Sequence, residues 1–272
     1  MTCTELWSTH PDDLGALDGE SLRRRFVVSD LFGEGAFSFT YAHDDRILLG
    51  GIRLTGGSAP LDAPELLAAD FLLERREAAL VGLEGELRVS SSAGDFVLRR
   101  HDVLYLPLGT RDIEVAGDGV LYLVSAPAHA PGEAAIATRD GVEALRLGSP
   151  EGANDRTIRK YVHADGIRSN QLVLGITTLE PGSVWNTMPA HVHSRRTEVY
   201  LYDGLEANPL VHLMGRPDDT RHLILHDRDA VVSPPWSIHS GSATGAYSFV
   251  WAMAGENVDY GDVAPVSPEL LK

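Results

Sequence analysis

The chain has 272 residues, 23 of them basic and 39 acidic, for a formal charge of −16, a balance that excludes attachment to nucleic acid or anionic lipid through counterion release. Its length is enough for one large core or two small ones. Cys3 is the one cysteine, which rules out an internal disulfide and a thiolate-rich zinc site, so any metal must be held by histidine and carboxylate.

From the start, "MTCTELWSTHPDD" has no basic stretch leading into an apolar one, and no later run is long and apolar enough to span a bilayer; an intracellular, cytoplasmic protein is expected. Short β-branched and aromatic runs follow one another, among them "FSFTYAHDDRILLGGIRL", "ELRVSS", "DFVLRR" and "DVLYLPLG" in the first half. "LDAPELLAADF", with Pro64 near its start, is the clearest expected helix of this half. Residues Ala130 to Arg156 are rich in Ala, Pro and Gly and read as a linker between a first half, 1–129, and a second, 157–272. Beyond it come "QLVLGITTLEPGSVWN", "EVYLYDG", "LVHLMG", "RHLILHD", "DAVVSPPWSIHSG" and "YSFVWAMAG", then a second short expected helix at "SPELLK". So many short strands broken by Gly, Pro and Asp, with so few helices, predict an all-β jelly roll (a double-stranded β-helix) rather than a parallel α/β sheet.

The halves echo one another. "RDAVVSPPWSIHS" places Asp229 before an apolar run, then Pro234, then His239 five positions on, and "HDVLYLPLGTRDI" places Asp102, Pro107 and Asp112 at the same offsets. Resemblance by chance between two antiparallel strands is the competing account of so short a match.

The stretch "PAHVHSRRTEVYLY" carries the chemistry. On a strand, alternate side chains share a face, so His191 and His193 project together. Glu198, on the expected return strand of a hairpin with Ser194 and Arg195 at its tip, can join them, and His239 is the best fourth member. Neutral imidazoles with one carboxylate suit zinc, iron, nickel or manganese. An H-x-H pair alone is common by chance; the glutamate, the flanking Gly182 and Gly204 and the later P-x-x-x-x-H are what distinguish this one. His10, His43, His101, His129, His163, His212 and His226 lack such partners and read as surface or structural residues. The first half has no equivalent ligand set, since "FLLERREAALVGLEGE" contains no histidine and Asp112 stands where His239 would.

These motifs resemble those of the cupin superfamily, with Trp236 where the second motif usually has glycine. The likeness then narrows. "NDRTIRKYVH", "QLVLGITTLEPGSVWNTMPAHVHSRRTEVYLY", "HLMGRPDDTRH", "VVSPPWSIHSG" and "WAMAGEN", together with "RRRFVVSDLFGEGAFSFTYAHDDRILLGG" in the first half, are similar to the 5-keto-4-deoxyuronate isomerase family over nearly the whole chain. Departures include Ala190 and Ser194, where many relatives carry cysteine and aspartate, and a poor match around 125–136. The resemblance implies a bicupin with a metal-free first half and one zinc ion per chain on the residues matching His191, His193, Glu198 and His239. It also implies a homo-hexamer and a ketol-isomerase of pectin and uronate catabolism that converts 5-dehydro-4-deoxy-D-glucuronate to 3-deoxy-D-glycero-2,5-hexodiulosonate.

Such a reaction moves a carbonyl between adjacent carbons, so it needs an electrophile for the developing oxyanion and a group that relays a proton. Lys160, Tyr161 and His222 are the candidates for the relay, and Arg196 and Arg221 for the substrate carboxylate; a strand-edge salt bridge is the plain alternative for either arginine. Three other roles use the same ligand set: 5-deoxyglucuronate isomerase, a dioxygenase, which would consume oxygen, and a sugar-binding cupin without turnover.

Overall fold

In the computed structural model, which describes residues 2–272, strands dominate and the chain is all-β. It forms two compact units, and each exchanges a segment along the sequence: the first comprises Asp30–Glu143 and Lys160–Leu174 with the opening strand, the second Leu6–Ser29, Ala144–Arg159 and Gly175–Lys272.

The first unit is built on an eight-stranded sheet whose long members are Ile47–Pro60, Arg76–Ser91 and Glu114–Pro127. Their inward residues, such as Leu48, Leu80, Leu104, Leu121 and Leu123, form a continuous apolar core. Strands of this length bend where the register breaks, between Gly82 and Glu84. Gly85 shows why glycine is needed at that break: its φ is +68°, and a Cβ there would lie 2.1 Å from the Asp118 carbonyl oxygen.

Two antiparallel sheets make up the jelly roll that holds the functional residues. One runs, in spatial order, Leu145–Leu147, Arg156–Val162, Val173–Leu179, Ser248–Gly255, Arg196–Asp203, Ala230–Ser233 and Val27–Val28. The other runs Asp219–Leu225, Leu210–Arg216, Ile238–Ala243, Trp185–Val192 and Ala264–Pro265. Every residue of Arg196–Asp203 is buried, as expected of a central strand covered on both faces.

Three local expectations are corrected. Trp185–Val192 and Arg196–Asp203 do not form a hairpin; they belong to different sheets, so the turn at Ser194 and Arg195 carries the chain across the sandwich. "LDAPELLAADF" yields only a 3-10 turn, Glu65–Leu67, and "SPELLK" another, Pro268–Leu270, because neither turn buries a residue against the rest of the chain to stabilise a longer helix. The one α-helix among the described residues, Gly19–Phe26, lies instead in the arginine-rich "GESLRRRF". Asp18 caps it by accepting from the Ser21 amide at 2.8 Å, and Leu22 and Phe26 are its buried face. The segment 130–156 also carries two short strands, Ala135–Ala137 and Leu145–Leu147.

The echo between the halves has a structural counterpart. The residue before each acid has positive φ, 66° at His101 and 64° at Arg228. Each carboxylate then accepts from the backbone N–H three residues earlier, Arg99 to Asp102 at 2.9 Å and His226 to Asp229 at 3.0 Å. Trp236, the departure from the usual motif, packs edge-on against Phe26 with ring centroids 6.2 Å apart. The bulky residue is thus used to seat the N-terminal helix.

Candidate metal centre and cavity

His191 and His239 are directly opposite one another on paired strands. The register breaks between Asn186 and His191, and Asn186 anchors the break: its side chain accepts from the Gly241 amide at 2.7 Å and donates to Tyr247 Oη at 2.9 Å. His193 lies just past the strand end, and Glu198 reaches in from the opposite sheet. Four atoms converge. His191 Nε2 is 3.0 Å from both His193 Nε2 and His239 Nε2, and Glu198 Oε2 is 2.8 Å from His193 Nε2 and 2.7 Å from His239 Nε2. The sequence-derived quartet is therefore one cluster, with all ligand atoms within 4.8 Å of one another.

The donor chemistry fits a divalent cation. His193 Nδ1 donates to the Asp262 carbonyl at 2.7 Å, which fixes the ring with Nε2 turned toward the cluster. Burial, helped by neighbouring His239, lowers the His191 pKa to about 3, so that ring is neutral. Burial works to raise the Glu198 pKa, but His239 and the hydrogen bonds from His193 and His239 outweigh it and hold the carboxyl ionised. Burial likewise works against a proton on His193, and the Glu198 contact overcomes it, raising that pKa. Three inward-facing imidazoles and a carboxylate drawn this close together could hold a divalent cation.

The cluster opens into a cavity of about 350 Å³, at the small end of ligand-pocket sizes. Its walls follow strand alternation. Glu198 and Tyr200 share a face of one strand, and Phe249, Trp251 and Met253 share a face of its neighbour. Tyr200 packs edge-on to His239 at 5.2 Å, and its hydroxyl lies 3.0 Å from Thr187 Oγ1. Burial raises the Tyr200 and Tyr260 pKa values, with the Glu198 charge adding to both, so each phenol keeps its proton. Arg156, Thr177 and Thr187 are the remaining polar lining among the described residues apart from the ligands and tyrosines.

The other sequence candidates fall elsewhere. Arg196 is fully buried behind His193, with Nη2 donating to the Asp262 carbonyl at 3.2 Å, and it does not line the cavity. Tyr161 is buried and donates to the His101 carbonyl at 2.7 Å. Lys160, four residues past Arg156 on the same strand, has run beyond the wall that Arg156 and Ile158 contribute. Arg221 pairs with Asp219 at 2.5 Å and His222 is exposed; both sit on the edge strand Asp219–Leu225, with two strands between it and the strand of His191. Residues missed from sequence were Tyr200, Trp251 and Arg156. The first two were available from the two-residue alternation of "EVYLY" and "YSFVWAMAG". Arg156 stands in the quoted "NDRTIRKYVH", where strand periodicity alone does not tell it from Lys160.

Comparison with known proteins agrees with this architecture. The KduI/IolB family matches residues 40–264. The 4-deoxy-L-threo-5-hexosulose-uronate ketol-isomerase of Cereibacter sphaeroides is 47% identical over 257 residues, covering 94% of this chain and 94% of its own. The protein of the same name from Agrobacterium fabrum is 43% identical over 273 residues, covering 100% of each. Among solved structures, an IolB-like protein from Salmonella typhimurium aligns with a TM-score of 0.67 at 19% identity over 81% of this chain and 87% of its own. Oxalate decarboxylase from Lactobacillus farciminis aligns at 0.57 and 11% identity, over 81% and 79%. Those two establish the shared jelly-roll fold. With most of its length matched by the family and relatives this similar end to end, the chain belongs to the KduI/IolB family.

Proposed function

We propose that this chain is a ketol-isomerase that converts 5-dehydro-4-deoxy-D-glucuronate to 3-deoxy-D-glycero-2,5-hexodiulosonate in the breakdown of pectin-derived uronates. The observation that carries the reading is the His191, His193, Glu198 and His239 cluster opening on a sugar-sized cavity in a chain 43% identical, over its full length, to a relative named for this reaction.

The quartet would hold one zinc ion per chain, and a bound divalent ion supplies Lewis acidity to an oxygen on which negative charge develops. The chain's own groups do the rest. Glu198 stays ionised and so acts as a ligand rather than as an acid. The Asp262 carbonyl accepts from His193 Nδ1 and so fixes the ring with Nε2 turned toward the site. Tyr200 Oη and Thr187 Oγ1, 3.0 Å apart, form a hydroxyl pair that can pass a proton to or from a sugar oxygen. That role replaces Lys160, Tyr161 and His222, which lie outside the cavity wall. Phe249, Trp251 and Met253 keep water from the reacting carbons.

Among the described residues no helix is long and apolar enough to cross a membrane, and we place the enzyme in the cytoplasm. We further propose a homo-hexamer with the first half serving packing and assembly. Val211 and Ile224, exposed partners on neighbouring strands, support a self-associating surface.

The test uses substrate made by a uronate lyase from oligogalacturonate, with product followed by NMR for metal-loaded and chelated protein. Turnover with metal alone is expected. Isomerisation of 5-deoxyglucuronate in place of the uronate would transfer the assignment to the sister activity, oxygen uptake would point to a dioxygenase, and turnover of neither sugar to a binding protein.

A further inference from the structure

In a chain with a surplus of acids, an arginine that faces a cavity without an ion-pair partner is unusual. Arg156 is such a residue. It is the one lysine or arginine in the cavity wall among the described residues. Its Nη1 donates to the Asn154 carbonyl at 2.9 Å, which steadies the guanidinium, and among the described residues it forms no ion pair. Every other candidate cation is spent or misplaced: Arg196 is sealed behind His193, Arg221 is paired with Asp219, and Lys160 is outside the wall.

Position reinforces this. Arg156 opens the strand Arg156–Val162, its partner across the sheet is Leu147, and Leu147 and Ile158 line the same cavity as apolar residues. An apolar surround strengthens a charge-assisted hydrogen bond to an anion. A guanidinium also offers two parallel donors to a carboxylate, which a lysine cannot.

Resting on the isomerase assignment for the identity of the substrate, we propose that Arg156 is the specificity-determining residue for the sugar's carboxylate. The metal cluster then addresses the carbonyl end of the sugar and Arg156 the acid end. Neutral sugars of the same size are rejected because they leave the guanidinium desolvated and unpaired.

Arg156→Gln and Arg156→Lys test this. Both are expected to keep wild-type metal content and thermal midpoint. For the uronate, KM should rise roughly 10- to 100-fold in Arg156→Gln, the loss of a charged hydrogen-bonded pair, with a smaller change in kcat and partial recovery in Arg156→Lys. The corresponding sugar with a hydroxymethyl group in place of the carboxylate should be handled equally by wild type and variant. Equal losses on both sugars, or an unchanged KM for the uronate, would overturn the assignment. Binding separates this from the reaction itself. In ligand-observed NMR, wild type should bind D-galacturonate in preference to D-galactose, and Arg156→Gln should lose that preference even if the native protein proves not to isomerise the uronate. No preference in wild type, or a preference retained in Arg156→Gln, would sink the carboxylate role whatever the reaction.

Discussion

Gly175 sits on the strand Val173–Leu179 beneath the cavity wall, and replacing it by alanine tests how the wall is held. A Cβ at this position would lie 2.0 Å from Trp251 Cζ2, 2.5 Å from Cη2 and 2.6 Å from the Arg159 carbonyl oxygen. Neither side yields easily, because the indole is rigid and the oxygen is backbone. The ring must therefore move toward the cavity, breaking the 3.1 Å hydrogen bond from Trp251 Nε1 to Thr177 Oγ1. Overpacking costs about 1–3 kcal/mol and the lost hydrogen bond about 1 kcal/mol, so Gly175→Ala should destabilise by about 2–4 kcal/mol, a fall of roughly 5–15 °C in Tm for a chain of this size. The metal ligands lie on other strands, so metal content should stay at the wild-type level while KM for the uronate rises. Adding Trp251→Phe removes the clashing ring atoms and should restore part of the lost stability, a coupling read by differential scanning calorimetry. A Tm within about 1 °C of wild type, or loss of metal together with the cavity effect, would refute this account of the wall.

Substituting His239 by alanine removes one of the four converging atoms; elemental analysis should show a large loss from about one ion per chain with the far-UV circular dichroism retained, and unchanged metal content would exclude the quartet. Tyr200→Phe deletes the hydroxyl beside Thr187 and should lower kcat by about 100-fold or more with metal content intact; unaltered kcat would remove Tyr200 from the proton path. His212 is fully buried, accepting or donating a 2.8 Å hydrogen bond with Tyr202 Oη, and burial, aided by His239, lowers its pKa to about 3. Because the unfolded chain binds this proton at ordinary histidine pH while the folded one does not, its stabilisation is complete above about pH 6.5 and is lost as pH falls toward 3, by up to about 1.4 kcal/mol per pH unit. Urea midpoints of His212→Leu should therefore fall less steeply than wild type between pH 6.5 and 4.5; parallel slopes would mean His212 is charged in the folded protein.

Much of this molecule was legible without coordinates. The all-β character follows from local patterning, since β-branched and aromatic runs between turn residues have few other uses. The clustering of His191, His193, Glu198 and His239 was legible because three of them lie within eight residues, where strand periodicity puts the two histidines on one face, and because P-x-x-x-x-H marks the fourth. What the local pattern could not decide was which strands pair. His191 and Glu198 look like two arms of a hairpin but come from opposing sheets, and nothing short-range distinguishes a turn within a sheet from one that crosses the sandwich. The helix Gly19–Phe26 was missed for a related reason: its stability comes from Leu22 and Phe26 packing on residues far along the chain, such as Trp236, rather than from its own propensity. The cavity lining was likewise a tertiary matter. Arg156 and Lys160 share a strand and a periodicity, and only the packing of the second sheet over that strand determines that the wall includes the arginine and ends before the lysine. A side-chain cluster written into two short motifs can be read from sequence, whereas a cavity wall assembled from several strands depends on long-range packing that no single stretch encodes.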